Sequence, residues 1–188
     1  MTHFKMHTIE TAPEVSRPML EAIRKELGFV PNQYAGLADS PVALKAFLTL
    51  SDLFAKSSLS PIEQQVVALA ISVENGCEFS VSAHSAIARG AVKVPGPIIE
   101  ALRTGGKLPE PRLETLATFV RTVIRAHGRV NDSAVKIFID AGYSRAQMLD
   151  VILGVSMTTL SNYTNNILGT PLNKEFEGDR WVRVKKAA

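Results

Sequence analysis

Cysteine is almost missing from this sequence: Cys77 is the single thiol in 188 residues. No internal disulfide can form, which fits a reducing, cytoplasmic setting. Aromatic residues are scarce at 6%, and no uninterrupted run of about 18 apolar residues occurs to span a membrane. The opening stretch, MTHFKMHTIE, lacks the apolar segment of a secretory signal, so export is not expected. Charge of either sign is modest. The formal net charge is +3, and residues 171–188 alone hold five basic and three acidic groups, so the body of the chain is nearly neutral. The basic cluster Arg180, Arg183, Lys185 and Lys186 reads as a solvated tail, and with no basic stripe elsewhere no nucleic-acid partner is expected. What the chain does have is apolar content, 46% hydrophobic, in a length that can bury a core of its own. One domain spanning residues 1–188 is the expectation.

Strand signals are as rare as cysteine, whereas helical punctuation recurs. Met19, Leu20, Ile23 and Leu27 fall at helical spacing ahead of Gly28. Ser40-Pro41 reads as an N-cap followed by a first-turn proline, opening a helix with Val42, Phe47, Leu50, Leu53 and Phe54. Ser60-Pro61-Ile62-Glu63 is a capping box, and the helix it opens should stop at Asn75-Gly76. A further helix is expected from about Cys77 to Arg89. Val94-Pro95-Gly96-Pro97 reads as a turn, and a short helix around Ile98, Ile99 and Leu102 ends at Gly105-Gly106. Leu113, Leu116, Val120, Ile124 and His127 mark an amphipathic helix closed by Gly128. Asn131 or Asp132 caps another that ends at Gly142, and Ser144 with Gln147 opens a long one to about Leu168. Trp181-Val182-Arg183-Val184 alone alternates like a strand and reads as a tail docked on a neighbour. The fold class is all-α: a single compact domain of about eight helices joined by short loops.

The chemistry concentrates in Asn75-Gly76-Cys77-Glu78-Phe79-Ser80-Val81-Ser82-Ala83-His84. Because Asn-Gly breaks one helix, Cys77 lands in the first turn of the next. There unpaired N–H groups and the positive dipole end favour a thiolate. On a helix Cys77, Ser80 and His84 share one face, within roughly 60° of arc. Ser80 and His84 can touch as an i, i+4 pair, whereas Cys77 and His84 are about 10 Å apart and need Ser80 or a water between them. The pattern is a thiol backed by a proton relay. Read as packing instead, Cys77 is a small buried hydrophobe and His84 a core histidine beside Val81, Ile87 and Ala88.

This decad resembles the alkyl hydroperoxidase D / carboxymuconolactone decarboxylase family, whose hallmark is an Asn-Gly-Cys-Glu-Tyr-Cys-like start, three residues and a histidine. The resemblance extends to Leu59-Ser60-Pro61, Val67-Ala68-Leu69-Ala70 and Ser85-Ala86-Ile87-Ala88. Leu160-Ser161-Asn162-Tyr163-Thr164-Asn165-Asn166, followed by Thr170-Pro171-Leu172, is similar to the closing helix of the peroxidase-related subgroup. The motif-bearing core is about 41–105. The resemblance implies an all-α fold, a homotrimer or hexamer, and reduction of hydroperoxides by a dithiol that cycles through a disulfide. It aligns Cys77 with the first cysteine and His84 with the histidine. Ser80 replaces the second cysteine, and Gln65 replaces the relay glutamate. Cys77 therefore has no partner for a local disulfide, and Gln65 can hydrogen-bond but cannot titrate.

An antioxidant reading follows: Cys77 is oxidised by a hydroperoxide and resolved by an external thiol, with His84 carrying protons. A second reading is a decarboxylase-like lyase using His84 as general acid–base, and a third a scaffold without catalysis. Glu63 or Glu74 could replace the missing carboxylate, although Glu63 is more simply a capping partner and Glu74 more simply exposed. The polar run Thr158, Thr159, Ser161, Asn162, Asn165 and Asn166 reads as a helix or subunit seam, or as a polar wall near Cys77. His3, His7 and His127 show no metal-site spacing, His3 and His7 in a mobile N-terminus and His127 at a helix end. No cofactor is expected.

Overall fold

The computed structural model describes residues 4–183. Nine α-helices account for its regular structure: α1 (Arg17–Leu27), α2 (Asn32–Leu37), α3 (Pro41–Ala55), α4 (Pro61–Glu74), α5 (Glu78–Ile87), α6 (Gly96–Thr104), α7 (Pro111–Arg125), α8 (Asp132–Asp140) and α9 (Arg145–Leu168). A π-turn, Ala88–Val92, prolongs α5, and 3₁₀ turns lie at Glu14–Ser16 and Lys174–Asp179. No strand occurs among the described residues. The all-α class is therefore as the sequence predicts, and among the described residues no helix is long and apolar enough to cross a membrane.

Local chemistry explains most of the boundaries. Ser60 accepts from the Glu63 amide while Glu63 reaches back to the Ser60 amide, and Ser144 and Gln147 repeat this reciprocal cap on α9. Ser40 and Asn131 cap α3 and α8 through single side-chain bonds. Each such cap is worth about 1 kcal/mol. The helices end at Gly28, Asn75-Gly76, Gly105, Gly128 and Gly142, where expected. Three local readings change. α2 has no apolar period to announce it: six residues opened by Pro31 are too short for one. Pro95 caps α6, so Gly96 and Pro97 belong to the helix instead of a turn. His127 lies beyond α7 with φ +50°, outside the apolar face it was placed on.

Helix α4 is the axis of the bundle. It is buried all round from Val66 to Ser72 and packs on α3, α5, α6, α7 and α9. A helix so enclosed needs apolar or small residues on every face, which Val66, Val67, Ala68, Leu69, Ala70 and Ile71 supply. One core runs from Leu20 of α1 through Phe138 of α8 to Met157 of α9. Close approach of α9 depends on Gly154: a Cβ there would lie 2.7 Å from a Phe54 ring carbon and 2.8 Å from Val67 Cγ1.

The C-terminal segment departs from the strand-like reading. Trp181 docks on its own chain, its amide donating to Ser82 Oγ and its indole to the Arg103 carbonyl. Residues Trp181–Arg183 form no strand, because side-chain and carbonyl partners on α5 and α6 hold them instead of a ladder; Val184 lies outside the described residues. Arg180 pairs with Glu177, and the Arg183 amide donates to Glu78; Lys185 and Lys186 also lie outside. His7, expected to be mobile, is bonded to Asp39 at 2.7 Å, whereas His3 is outside the described residues.

Candidate active site

The loop between α4 and α5 sets the thiol. Gly76 has φ +61°, a conformation that L side chains resist and glycine accepts, and it lets the chain reverse within two residues. The Cys77 amide then closes the turn on the Ser72 carbonyl at 3.0 Å. Cys77 is the N-cap of α5, with extended backbone (φ −88°, ψ 98°), and sits one residue ahead of the first turn where the spacing put it. Its side chain is fully buried among Phe79, Ala83, Leu172 and Phe176.

Within this apolar nest the sulfur has one hydrogen-bond partner among the described residues. Cys77 Sγ donates to Ser80 Oγ at 3.2 Å. Ser80 Oγ also accepts from Asn165 Nδ2 of α9 at 3.2 Å, and the same amide donates to Gln33 Oε1 of α2 at 3.1 Å. Asn165 Oδ1 is buried with no partner among the described residues. The sequence-predicted pair Cys77 and Ser80 is thus assembled. Asn165 and Gln33, which complete the chain, come from helices far away in sequence; the polar run on α9 signalled Asn165, and nothing in the sequence reading signalled Gln33.

His84 belongs to a different chain of bonds. Although it follows Ser80 by four residues, it turns toward α4 and meets Gln65, Nδ1 to Oε1 at 3.1 Å. The expected Ser80–His84 contact is not made, because Ser80 turns toward α9. Burial of the ring lowers its pKa from 6.5 to about 4, so it is neutral near pH 7. An amide oxygen accepts only, so the proton sits on Nδ1 and Nε2 is left as an acceptor. Glu63 and Glu74 act elsewhere. Burial raises the Glu63 pKa, but the Ser60 amide and hydroxyl and the Arg112 guanidinium outweigh it and hold the carboxyl below its usual value. Glu74, expected to be exposed, is half-buried against Arg125.

A cavity of about 400 Å³ opens beside His84. Phe47, Phe54 and Phe79 are buried in its wall, Leu27, Ala55 and Ile87 are exposed at its rim, and Gln33, Gln64 and Gln65 supply polar groups. Among the described residues, none that lines it is Asp, Glu, Lys or Arg. Cys77 is not in the lining, but Phe79 and Ala83, which cluster with it, and Phe176, which packs on that cluster, all line the cavity. The polar run of α9 is an intramolecular seam: Asn162 bonds Asn75 and Ser72, and Asn166 bonds the Asn75 carbonyl. Ser161 and, through Gln33, Asn165 bring the same run to the cavity.

Residues 41–106 match the model of the carboxymuconolactone decarboxylase family. No curated protein gives a significant match. Among solved structures, an alkylhydroperoxidase AhpD core, an uncharacterized peroxidase-related protein from Ralstonia eutropha JMP134, is 25% identical. The match covers 93% of each chain with a TM-score of 0.81. A peroxidase-related protein from Silicibacter sp. TM1040 is 21% identical over 93% of this chain and 92% of that one, TM-score 0.78. The debrominase Bmp8 shares the fold at 15% identity, covering 93% and 97%, TM-score 0.73. A cysteine-to-alanine variant of Bmp8 has been solved in complex with 2,3,4-tribromopyrrole.

Proposed function

Because this chain belongs to the alkylhydroperoxidase D-like carboxymuconolactone decarboxylase family, we propose that it is a thiol-dependent peroxidase-type enzyme with Cys77 as its redox atom. The observation that carries the reading is the polar chain built onto a buried sulfur: Cys77 to Ser80 to Asn165 to Gln33. An inert core cysteine needs none of it. When Cys77 ionises, the Ser80 hydroxyl turns its proton to the sulfur while still accepting from Asn165, so the anion keeps a charge-assisted partner.

The reaction is balanced without a second cysteine. The thiolate attacks the terminal oxygen of the hydroperoxide, the O–O bond breaks, and Cys77 becomes a sulfenic acid. The proton released from the thiol ends on the departing alcohol. One external thiol then forms a mixed disulfide and releases water, and a second regenerates Cys77 as an external disulfide. His84 Nε2 takes a hydrogen bond from the substrate at the cavity wall. The way from the cavity to the sulfur passes Phe79, Ala83 and Phe176, which line the cavity and belong to or pack on the cluster that holds Cys77.

Intact mass after mild peroxide treatment tests this. One added oxygen, or a mixed disulfide when thiol is present, is expected in the wild type and not in Cys77→Ser. Asn165→Ala should slow alkylation of Cys77 several-fold. An unreactive Cys77 and no turnover with any thiol would refute it.

A second reading has its own support in the debrominase likeness and the aromatic cavity. Cys77 with one external thiol could replace a ring bromine by hydrogen, the two thiols becoming a mixed disulfide and hydrogen bromide leaving. The decarboxylase alternative is weaker, because no cation among the described residues lines the cavity to hold a carboxylate. Homo-oligomeric assembly belongs to the same proposal. Leu149, Ile152, Tyr163 and Ile167 are exposed along α9 and would be covered in a closed ring. A monomeric mass by light scattering at micromolar concentration counts against it.

A further inference from the structure

The geometry points to an uncharged aromatic molecule with one O–H or N–H donor as the occupant of the cavity, its donor bonded to His84 Nε2. This rests on the cavity being the substrate chamber of the proposed thiol chemistry, but it is argued from the cavity alone.

Three observations converge. The space, about 400 Å³, is at the small end of ligand pockets, which run from about 300 to 1,000 Å³. Its wall is built from ring faces and edges, Phe29, Tyr34, Phe47, Phe54, Phe79 and Phe176, and edge-to-face packing of Phe176 on both Phe29 and Phe79 shows the spacing a further ring would adopt. Among the described residues its lining holds no Asp, Glu, Lys or Arg, so a carboxylate or ammonium would lose its water without gaining a counter-charge from them.

His84 then selects within the neutral class. Gln65 Oε1 fixes the Nδ1 proton, which leaves Nε2 able to accept and unable to donate. A ligand acceptor placed there would face a lone pair. A phenol, a pyrrole-type N–H, or the O–H of an aryl hydroperoxide satisfies it. These share one chemistry: a ring that fills the aromatic wall and a single donor that reaches the imidazole.

Calorimetric titration of Cys77→Ser protein separates binding from thiol chemistry, since that variant cannot react. The probes are phenol, benzene and benzoate. Phenol should bind saturably, benzene more weakly, and benzoate not at all. In a Cys77→Ser, His84→Leu background the preference for phenol over benzene should fall by roughly tenfold, the value of one good hydrogen bond. Ser51→Phe, on the half-buried side of α3 that faces the cavity, keeps His84 and should remove phenol and benzene binding together. Cumene hydroperoxide and pyrrole, added as competitors, distinguish the sources, and displacement of phenol by either supports the assignment. Benzoate binding as tightly as phenol overturns it, as does phenol binding unchanged in Ser51→Phe, a preference unchanged by loss of His84, or displacement by neither competitor. Peroxide oxidation of wild-type Cys77 with no phenol binding would leave the thiol reading standing and remove this one.

Discussion

His84 should make the protein acid-sensitive in a window where few other groups titrate. In the unfolded chain its ring takes a proton below 6.5, whereas burial in the fold holds that event down to about 4. Between these values the unfolded state binds more protons, so stability falls as pH falls, and it is fully present only above the unfolded value. The two pKa values give a loss of about 2 kcal/mol between roughly pH 7 and pH 5, approaching 3 kcal/mol below about pH 4. Glu63, whose carboxyl is held below its usual 4.5, adds a loss of its own only in more acidic solution. The upper part of the window therefore reports the imidazole. Urea unfolding followed by circular dichroism at about pH 7 and pH 5 measures it. His84→Gln, which cannot take up a proton, should lose about 2 kcal/mol less than wild type over the same interval. Equal losses in the two proteins would refute the reasoning, because the ring would then titrate alike in both states.

Gly154→Ala should destabilise by about 1 kcal/mol: a helix gains up to about 1 kcal/mol from alanine, but overpacking against buried Phe54 and Val67 costs about 1–3 kcal/mol. A thermal melt showing stabilisation would contradict the close α3–α4–α9 approach. Arg112→Met leaves the buried Glu63 carboxylate without its counter-charge and removes a guanidinium 4.0 Å over the Tyr143 ring. A loss of about 1–2 kcal/mol is expected, since Arg112 is itself partly exposed, and chemical denaturation measures it. Ser80→Cys puts a second sulfur beside Cys77, where the native atoms are 3.2 Å apart. Mild oxidation should close a disulfide, seen as the loss of two hydrogens by mass; free thiols under the same treatment count against it.

What the sequence made legible was local. The Ser60–Glu63 and Ser144–Gln147 caps and the Asn75-Gly76 break each depend on residues within a few positions, and the structure has all three. Spacing also brought Cys77 and Ser80 together correctly. It failed for His84 because helical register gives the side of a helix, not the rotamer or the neighbour: Ser80 finds α9 and His84 finds α4. Asn165 and Gln33 stand 132 positions apart and meet only once the bundle closes. The tail was misread for a related reason, since alternation in Trp181-Val182-Arg183 carries no sign that Ser82 and Arg103 hold it.

That anchoring of Trp181 has a spectroscopic consequence. It is the sole tryptophan of the chain, so all indole emission comes from one place. Its ring is partly buried against the core, and its N–H is engaged 3.0 Å from the Arg103 carbonyl. It follows Phe176, which packs on the cluster around the thiol, by five positions along the same strap. A red shift without loss of helical ellipticity would mean that the strap has lifted while the bundle stays folded. The protein thus carries a built-in gauge of whether the segment packed beside its thiol cluster is in place.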